Sequence, residues 1–325
     1  MNLVTGATGF VGSALARRLV EAGEPVRILR RAGSRLDLLG DASDHVEHAI
    51  GDVTDVESVV RATEGAETVF HVAAVIAFGR RASAQLREVN VQGTANVVNA
   101  ALDAGVGRLV HTSSIAALGR PAKATVLDES AAWTPSPYNT AYARSKRDAE
   151  REVQRGVAEG LDAVVVNPAL VWGPGRSGEG TMAIAERLAA GRLPLAPPGT
   201  TSVVDVRDVL SGLVAARDRG QSGERYLLSA ETLPWTEILA RLADALGVEP
   251  PSRTAPGWLL SLGGALGEAA AAVARAEPAL TRETARAARA RVGYDGSRAE
   301  RELGVRYRPF PETAAALAAV AGPGR

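Results

Sequence analysis

The sequence of 325 residues predicts an α/β fold, with a doubly wound parallel sheet followed by a smaller C-terminal part. Two observations indicate this fold class. Short apolar segments alternate with helix-forming segments up to residue 170, which is typical of a parallel sheet with crossover helices. From Val171 onward the alternation becomes irregular, and glycine and proline become frequent.

The strands of the sheet are predicted from short apolar segments. These segments are Asn2–Thr5, Pro25–Arg30, Val46–Ile50, Thr68–Ala73, Arg108–Thr112 and Ala163–Asn167. The longest helices predicted between them are Ala82–Ala104 and Tyr138–Glu159. We expect residues 171–325 to form a smaller part that covers a ligand, with some return to the core rather than more sheet.

The first strand runs into a glycine-rich turn, Thr5-Gly6-Ala7-Thr8-Gly9-Phe10-Val11-Gly12, and a helix follows. Val11, Leu15, Leu19 and Val20 share one face of this helix, and Gly23 is placed to end it. Gly6 allows the tight turn, Gly9 lets the backbone approach a pyrophosphate, and Gly12 lets the helix pack closely. Spaced glycines also serve ordinary turns. Their position between a strand and a helix, however, indicates a dinucleotide-binding Rossmann domain.

The end of the second predicted strand bears on the choice between NAD and NADP. An acidic residue there would bind the ribose hydroxyls of NAD, whereas this chain has Arg30 and Arg31. Arginine suits a 2′-phosphate, so NADP is favoured over NAD. If both arginines are merely solvated, the choice stays open. After the third strand, Asp52 lies near the expected adenine position, and Asp55 is expected to cap the next helix.

Tyr142 and Lys146 stand four residues apart in a predicted helix, so their side chains project from one face. A lysine ammonium beside a phenol stabilises the phenolate and lowers the pKa of the tyrosine from about 10 toward neutrality. Such a tyrosine gives or takes a proton at working pH. The alternative is a solvated helix face, which is the commoner meaning of this spacing.

Three hydroxyl residues, Thr112, Ser113 and Ser114, come at the end of the fifth predicted strand. Ligands of such folds bind at the carboxyl edge of the sheet, where this strand ends. A serine there would hold a substrate carbonyl or alcohol for proton exchange with Tyr142, and only one of the three need be catalytic. Alternatively, all three are turn residues bonded to local backbone.

Charge and composition argue against several functional classes. The 37 basic and 37 acidic residues balance, which gives no electrostatic case for binding nucleic acid or an anionic membrane. The sequence contains no cysteine, which rules out disulfide and thiolate chemistry. His45 and His48 would point to opposite faces of a strand, so no metal site is predicted, and His71 and His111 are expected to be core or site-edge groups. The glycine motif begins almost at Met1, so no signal peptide is expected, and the expected location is cytoplasmic.

The apolar segment from Trp258 to Val273 has three possible interpretations. It is shorter than the roughly 20 residues of a membrane span, and Glu268 interrupts it, so no span is predicted. We expect a helix that covers a substrate site or forms an oligomer contact. A peripheral membrane contact is the remaining alternative.

Taken in order, these motifs resemble the extended short-chain dehydrogenase/reductases of the NAD-dependent epimerase/dehydratase superfamily. Besides the glycine turn, the hydroxyl run and the Tyr142–Lys146 motif, the resemblance includes Phe70-His71-Val72-Ala73-Ala74, Asn90-Val91-Gln92-Gly93-Thr94, Asn167-Pro168, Val204-Asp205-Val206-Arg207-Asp208-Val209 and Arg298-Ala299-Glu300-Arg301-Glu302-Leu303-Gly304. It covers nearly the whole chain. The Phe70–Ala74 run and Leu280-Thr281-Arg282-Glu283 are most similar to the dihydroflavonol-reductase and hydroxysteroid-dehydrogenase-like branch.

The resemblance implies an NADP(H)-dependent oxidoreductase that interconverts a carbonyl and a secondary alcohol by hydride transfer. Ser114 would position the reacting oxygen, Tyr142 would donate the proton, and Lys146 would tune Tyr142 and bind the nicotinamide ribose. The implied cofactor-binding residues are Gly6, Thr8, Gly9, Phe10, Val11, Gly12, Arg30, Asp52, Val53, Val72, Ala73, Ala74, Tyr142, Lys146, Pro168 and Val171. Residues 1–170 would form the NADP-binding Rossmann domain, and residues 171–325 mainly the substrate-binding and C-terminal helical part.

Two other functions share this scaffold. A sugar-nucleotide epimerase or dehydratase keeps its cofactor through the cycle, and it often has an acidic residue where Arg30 stands. A non-enzymatic dinucleotide sensor tends to lack the tyrosine. For the reductase, Phe78 and residues 133–138 are candidates for a substrate wall. Together with Trp172 and the Trp258 segment, Phe78 favours an apolar or aromatic small-molecule substrate. A homodimer is a further expectation.

Overall fold

The computed structural model describes residues 1–78, 82–123, 125–274 and 281–321. The strands are β1 (Asn2–Thr5), β2 (Val26–Arg30), β3 (Glu47–Ile50), β4 (Thr68–His71), β5 (Arg108–Thr112), β6 (Thr125–Leu127), β7 (Ala163–Pro168), β8 (Leu170–Trp172), β9 (Leu195–Ala196), β10 (Thr200–Asp205), β11 (Arg225–Leu228), β12 (Glu231–Pro234), β13 (Arg253–Thr254) and β14 (Val292–Tyr294). The helices are α1 (Phe10–Glu21), α2 (Val56–Thr63), α3 (Ser83–Leu86), α4 (Gly93–Asp103), α5 (Ala141–Ala158), α6 (Gly180–Ala189), α7 (Val206–Arg219), α8 (Trp235–Leu246), α9 (Gly257–Ala274), α10 (Arg282–Ala287), α11 (Ser297–Leu303) and α12 (Phe310–Ala321).

Within the described residues, seven strands form the main sheet in the order β11-β7-β5-β4-β1-β2-β3. Every neighbouring pair in this sheet is parallel. The order reverses at β1, as expected for a doubly wound sheet, so the predicted fold class is confirmed. Two of the six predicted strands, Asn2–Thr5 and Arg108–Thr112, have the observed bounds, and the other four differ by one or two residues, which is the usual uncertainty at element ends.

Strand β11 comes from residues after Val171, so the expectation that this part adds no further sheet is wrong. The segment Arg225–Leu228 pairs with β7, and Tyr226, Leu227 and Leu228 are fully buried. This segment of four residues is too short for periodicity alone to predict a strand. The extended conformation of Arg225–Leu228 is set by its pairing with β7.

Helices cover both faces of the main sheet. On one face, helices α1, α7 and α11 contribute Leu15, Leu213 and Leu303 to a core shared with Phe70 and Val110 of the strands. On the other face, α2, α4 and α5 contribute Val59, Val98 and Val153 to a core with Leu3 and Leu109. Burial on both faces explains why the strands are almost continuously apolar.

The C-terminal part has its own core. Strands β8, β10 and β12 form a small sheet, and helices α6, α8 and α12 pack around Trp172. The Trp172 ring meets Phe310 edge-on with 5.4 Å between centroids. Trp172 is fully buried, so it belongs to this core rather than to an exposed substrate surface.

The long helix predicted from Ala82 to Ala104 is interrupted. Between α3 and α4, residues Arg87–Gln92 form a π-helix, which contains the buried Asn90. Such wide turns occur often at functional sites because they redirect side chains from a regular helix. His45 also departs from expectation, because it ends a 3₁₀ helix (Gly40–His45) rather than lying in a strand.

Helix α9 occupies the apolar segment that starts at Trp258. Trp258, Leu262 and Leu266 recur every four residues and are exposed, so they form one apolar face. In the described part of the chain, no helix is long and apolar enough to cross a membrane. Leu280, which precedes the Thr281-Arg282-Glu283 stretch, lies outside the described residues.

The edge strand β11 is covered by side chains. Glu129 Oε1 accepts a hydrogen bond from the backbone N–H of Leu227 at 2.9 Å, and the Tyr307 hydroxyl donates to the Leu227 carbonyl at 3.2 Å. Burial raises the pKa of Glu129 above its ordinary value. Both main-chain groups of Leu227 that would otherwise face a further strand therefore have partners.

Candidate active site

The carboxyl ends of the parallel strands gather the predicted site residues at one edge of the sheet. The glycine turn follows β1, Arg30 ends β2, and Asp52 and Val53 follow β3. Residues 72–74 follow β4, and Ser114 follows β5. Pro168 ends β7, and Val171 lies in the adjoining β8. Ligands of open α/β sheets bind at this edge, next to the point where strand order reverses.

Two glycines of the turn are required by the protein itself. Gly6 has a φ of +69°, and a Cβ there would lie 2.6 Å from the backbone nitrogen of Ala73. A Cβ on Gly12 would lie 2.2 Å from the carbonyl oxygen of Gly6, so glycine lets α1 pack against the turn. Gly9 differs, because its φ is −91° and a Cβ would be 3.4 Å from the nearest protein atom. Among the described residues, none fills the space that a Cβ on Gly9 would occupy.

The first turn of α1 fits the pyrophosphate of a dinucleotide. Within the described residues no side chain caps this helix, and its first turn contains no acidic residue. The backbone N–H groups of Phe10, Val11 and Gly12 therefore point from an uncapped, partly positive helix end. Next to the open space over Gly9, they would hold the pyrophosphate, whereas the nicotinamide end would lie toward β5 and β7.

Residues after β4 and β8 contact the glycine turn and the start of α1. The Ala73 amide donates to Thr5 Oγ1 at 3.2 Å, which places residues 72–74 directly over the glycine turn. The Phe10 ring lies against Gly173 and Gly175 of the segment after β8, since a Cβ on either glycine would come within 3.5 Å of the ring. The beginning of the C-terminal part thus closes over the start of α1.

An ion pair between Arg176 and Asp37 also joins the C-terminal part to the N-terminal part next to the glycine turn. Arg176 Nη2 donates to the Thr8 carbonyl at 3.3 Å and to Asp37 Oδ1 at 2.7 Å. Hydrogen bonding from Arg176 lowers the pKa of Asp37 to about 2. Sequence reasoning did not single out Arg176, because an arginine in a glycine-rich segment carries no local signal.

The ends of β2 and β3, where the adenosine is predicted to lie, are rich in arginine. Arg30 Nε donates to His48 Nδ1 at 2.7 Å, and the side chains of Arg31 and Arg35 are mostly exposed. Asp52 accepts hydrogen bonds from the amide and hydroxyl of Thr54, which holds the turn after β3. Val53 is buried, and Asn96 donates to its carbonyl at 2.9 Å. Asp55 caps α2 as predicted, accepting from Glu57 N at 3.2 Å.

The three hydroxyl residues after β5 have different surroundings. Thr112 is buried, and its Oγ1 has no hydrogen-bond partner among the described residues, while its carbonyl accepts from Lys146 Nζ at 2.7 Å. Ser113 is buried and donates to Glu150. Ser114 is only half-buried and begins a 3₁₀ helix, with its Oγ accepting from Ala116 N at 3.1 Å. Ser114 is therefore the least buried residue of the three.

The phenol of Tyr142 lies beside Ser114. Hydrogen bonding with the Ser114 side chain and the positive charge of Arg120 both lower its pKa, but burial outweighs them and raises the pKa above the ordinary value of 10. The expected lowering by Lys146 is therefore wrong for this structure. The Lys146 ammonium donates to the Thr112 carbonyl rather than to the phenol.

Lys146 is 1% exposed, and burial lowers its pKa from 10.5 to about 8. The nearby Glu150 carboxylate opposes this shift. Glu150 is itself buried at the centre of a polar network, in which Asn167 donates to it at 2.6 Å and Arg225 pairs with it at 3.4 Å. Asn167 also donates to the Ser114 carbonyl at 2.9 Å. Sequence reasoning missed Glu150, although an acid four residues after Lys146 was a readable signal.

Two buried histidines lie under the site. His71 contacts Thr5 Oγ1 at 2.8 Å and Thr94 Oγ1 at 3.0 Å. The His111 ring centroid lies 5.2 Å from that of His71, and neither His111 nitrogen has a hydrogen-bond partner within the described part of the chain. Burial, with a smaller effect of the Lys146 charge, lowers the pKa of His71 to about 3 and that of His111 well below its ordinary value. Both rings are neutral, so they add no positive charge beside Lys146.

The π-helix places Asn90 against α5, the helix that carries Tyr142 and Lys146. The Asn90 amide donates to Ser145 Oγ at 2.9 Å and to the Val75 carbonyl at 3.0 Å, while its oxygen accepts from Val75 N. Asn90 therefore ties the loop after β4 to α5. The resemblance includes Asn90, but the sequence alone suggests no role for it.

The open side of the site is formed by Phe78 and the C-terminal part. The Phe78 ring meets Tyr142 edge-on at 6.3 Å between centroids, and the residue is 37% exposed. Trp133, from the predicted wall segment, lies under the guanidinium of Arg147. Glu283 of α10 accepts a hydrogen bond from the first amide of α5, that of Ala141, and Thr140 caps the same helix. An element distant in sequence thus holds the end of the helix that carries Tyr142.

Comparisons with known proteins agree on the family. The NAD dependent epimerase/dehydratase family matches residues 2–229. The chain is 34% identical over 307 residues to the putative dihydroflavonol 4-reductase of Synechocystis sp., with 93% of this chain and 89% of that protein covered. It is 31% identical over 282 residues to the 3 beta-hydroxysteroid dehydrogenase/Delta 5→4-isomerase of Mycobacterium tuberculosis, with 80% and 74% covered.

A solved structure extends the likeness over nearly the whole fold. The dTDP-glucose 4,6-dehydratase DesIV of Streptomyces venezuelae, with NAD and TYD bound, superposes with a TM-score of 0.77. It is 25% identical in sequence and covers 98% of this chain and 95% of its own.

Proposed function

We propose that the chain, which belongs to the NAD dependent epimerase/dehydratase family, is an NADP(H)-dependent reductase. As a member of this family it is an NAD(P)-dependent enzyme of the extended short-chain dehydrogenase/reductase type that acts on CH–OH groups. It interconverts a carbonyl and a secondary alcohol on a small molecule. The observation that carries this proposal is the pairing of the Tyr142 phenol with the Ser114 side chain, which follows β5 at the same edge of the sheet as the uncapped start of α1.

In the reducing direction, Tyr142 supplies the proton. Its raised pKa keeps the phenol protonated at neutral pH, as a proton donor requires. Ser114 is half-buried next to the phenol, so its hydroxyl holds the same substrate oxygen and orients it for transfer. When bound, the reduced nicotinamide supplies the hydride.

Lys146 provides a buried positive charge one turn from Tyr142. In the oxidising direction, Tyr142 must lose its proton, and a nearby cation stabilises the resulting phenolate. The ammonium donates to the Thr112 carbonyl in this structure, and it would reach the nicotinamide ribose from the same face of α5. Glu150 keeps Lys146 charged by opposing the effect of its burial.

The cofactor is proposed to be NADP rather than NAD. Three arginines, Arg30, Arg31 and Arg35, surround the end of β2, and none of the residues of β2 is acidic. A guanidinium binds a phosphate through two charge-assisted hydrogen bonds. An acidic residue in their place would repel the 2′-phosphate.

The substrate is proposed to be apolar or aromatic. Phe78 presents an exposed edge beside the phenol, and an apolar ring in that place would pack against a hydrocarbon part of the substrate. The relatives named for dihydroflavonol and 3 beta-hydroxysteroid substrates are consistent with a hydrophobic ring system.

A screen of ketones, hydroxysteroids and flavonoids, followed by the absorbance of NADPH, tests this function. We expect turnover with at least one apolar class of substrate. We also expect the variant Phe78→Ala to raise the KM for ring substrates more than for small ketones.

The second candidate is a sugar-nucleotide epimerase or dehydratase, which the matching family name and the DesIV likeness favour. Purified protein that keeps a bound dinucleotide and never consumes added NADPH would select that candidate.

A further inference from the structure

Arg30 at the end of β2 is held by a histidine of the neighbouring strand. Its Nε donates to Nδ1 of His48 at 2.7 Å. Strands β2 and β3 are parallel, with Ile28 opposite His48 and Arg30 opposite Ile50. Since side chains two residues apart share a face, Arg30 and His48 lie on the same side of the sheet.

The contacts of His48 fix its tautomer. A guanidinium has only hydrogen-bond donors, so His48 Nδ1 must be the acceptor. His48 Nε2 lies 2.9 Å from the Ser43 carbonyl, which has only acceptor sites, so Nε2 must carry the proton. Both ring nitrogens are therefore occupied by protein groups, and the neutral ring acts as a rigid bridge between Ser43 and Arg30.

This bridge leaves one end of the guanidinium available. Arg30 Nη1 makes long contacts of 3.3 and 3.4 Å with the carbonyls of Arg31 and Ala32. Among the residues that the structure describes, none accepts a hydrogen bond from Arg30 Nη2. Asp52, on the turn after β3, has its Oδ2 atom 4.0 Å from Arg31 Nε, and among the described residues it forms no ion pair with Arg30. The guanidinium is thus oriented but not neutralised.

We propose that His48 is a positioning residue for recognition of the 2′-phosphate of NADP. By accepting from Nε, it fixes the plane of the Arg30 guanidinium so that the terminal nitrogens face the phosphate. The inference rests on the proposed preference for NADP. Because NAD lacks this phosphate, the orientation of Arg30 contributes to binding NADP and little to binding NAD.

Cofactor fragments test this role without any substrate. The purified full-length protein is titrated calorimetrically with adenosine 2′,5′-bisphosphate and with 5′-AMP. In the variant His48→Leu, which removes the acceptor, we expect the preference for the bisphosphate to fall by about tenfold. The affinity for 5′-AMP should stay within about twofold, since that fragment makes no contact with Arg30. The variant Arg30→Ala should lose the preference altogether.

A matched amide pair separates positioning from general effects of the substitution. The variant His48→Asn puts its amide oxygen near the position of Nδ1 and should retain most of the preference. The variant His48→Gln places the acceptor further out and should lose the preference. If His48→Leu fails to fold, as seen by circular dichroism, this pair decides the question.

The outcomes distinguish the two proposals. An unchanged preference in both His48→Leu and His48→Gln, with loss in Arg30→Ala, would overturn the role of His48 while leaving the NADP preference intact. A wild-type protein that binds both fragments equally would contradict the NADP preference and the role of His48 together.

Discussion

Glu150 lies one helical turn beyond Lys146 on α5, and its carboxylate opposes the lowering of the lysine pKa that burial causes. The same carboxylate accepts from Ser113 and Asn167, and Asn167 donates to the carbonyl of Ser114. One buried acid therefore supports both the cation and the hydroxyl of the site. Substitution of Glu150 should therefore have two separate effects. Loss of its charge should change the pKa of Lys146, and loss of its hydrogen bonds should weaken the support of the residues that end and follow β5.

The charge of Lys146 can be measured directly, because the chain contains only two lysines, Lys123 and Lys146. With lysine labelled at the side-chain nitrogen, an NMR titration should give a pKa of about 8 for Lys146. The variant Lys123→Arg assigns the signals. In Glu150→Gln the pKa of Lys146 should fall further, since burial remains while the opposing carboxylate is gone. An unchanged pKa in that variant would show that the two residues do not interact.

The same shift makes stability depend on pH. In the unfolded chain, Lys146 holds its proton up to about pH 10.5, whereas in the folded protein it loses it at about pH 8. Between these values the unfolded state binds more protons, so the free energy of unfolding should rise with pH. The gain due to this residue is about 3 kcal/mol in total. Denaturant unfolding from pH 7.5 to 10.5, compared with Lys146→Met, measures it, and parallel curves for the two proteins would refute it.

Removing the phenol should separate chemistry from binding. In Tyr142→Phe we expect turnover to fall at least about a hundredfold, because the substrate oxygen loses its proton donor. The affinity for NADPH, measured by fluorescence titration, should stay nearly unchanged. Near wild-type turnover in this variant would remove Tyr142 from the mechanism.

The two glycines at the start of α1 should respond differently to alanine. In Gly9→Ala the added Cβ meets no protein atom closer than 3.4 Å, so the free energy of unfolding should change by less than about 1 kcal/mol. Dinucleotide affinity should nevertheless fall at least about tenfold, because the Cβ occupies the open space above the turn. Equal affinity in Gly9→Ala and wild type would place the pyrophosphate elsewhere. In Gly12→Ala, where the Cβ would overlap the Gly6 carbonyl, folding itself should suffer.

The contact between Glu283 and α5 should contribute to stability. Truncation in Glu283→Ala removes the acceptor for the first amide of α5, which should cost about 1 kcal/mol in the free energy of unfolding. Glu283→Gln keeps an acceptor oxygen at the same distance along the side chain and serves as the control. Urea denaturation compares the three proteins. If alanine and glutamine cost the same, the hydrogen bond to Ala141 has no net effect on stability.

Much of the fold could be predicted because it depends on local patterns. The alternation of apolar strands and helices, and the glycine turn after β1, are read within short windows, and the parallel sheet is confirmed. The requirement for glycine at Gly6 and Gly12 follows from the motif and is borne out by the backbone geometry. Strand β11 was missed because its conformation is set by pairing with β7, some sixty residues earlier.

The site was less readable, because burial rather than spacing sets its electrostatics. The spacing of Tyr142 and Lys146 indicates a shared helix face, but it does not show that the ammonium would point to the Thr112 carbonyl. Arg176 and Glu283 join segments that are far apart in sequence, so no local pattern identifies them. The catalytic and cofactor-binding roles of the individual residues stay predictions that the experiments above address.

The covering of Leu227 by Glu129 and Tyr307 also limits how two copies of this protein could meet. An uncovered edge strand is a template on which another chain can add a strand, and such addition leads to aggregation. At the β11 end, the main-chain groups of Leu227 are already occupied, so a continuous intermolecular sheet would have to start at β3, where Glu47 and Ile50 are exposed. Resistance to fibril-like association should therefore depend on the β3 edge, and a charged residue in place of Ile50 should improve it.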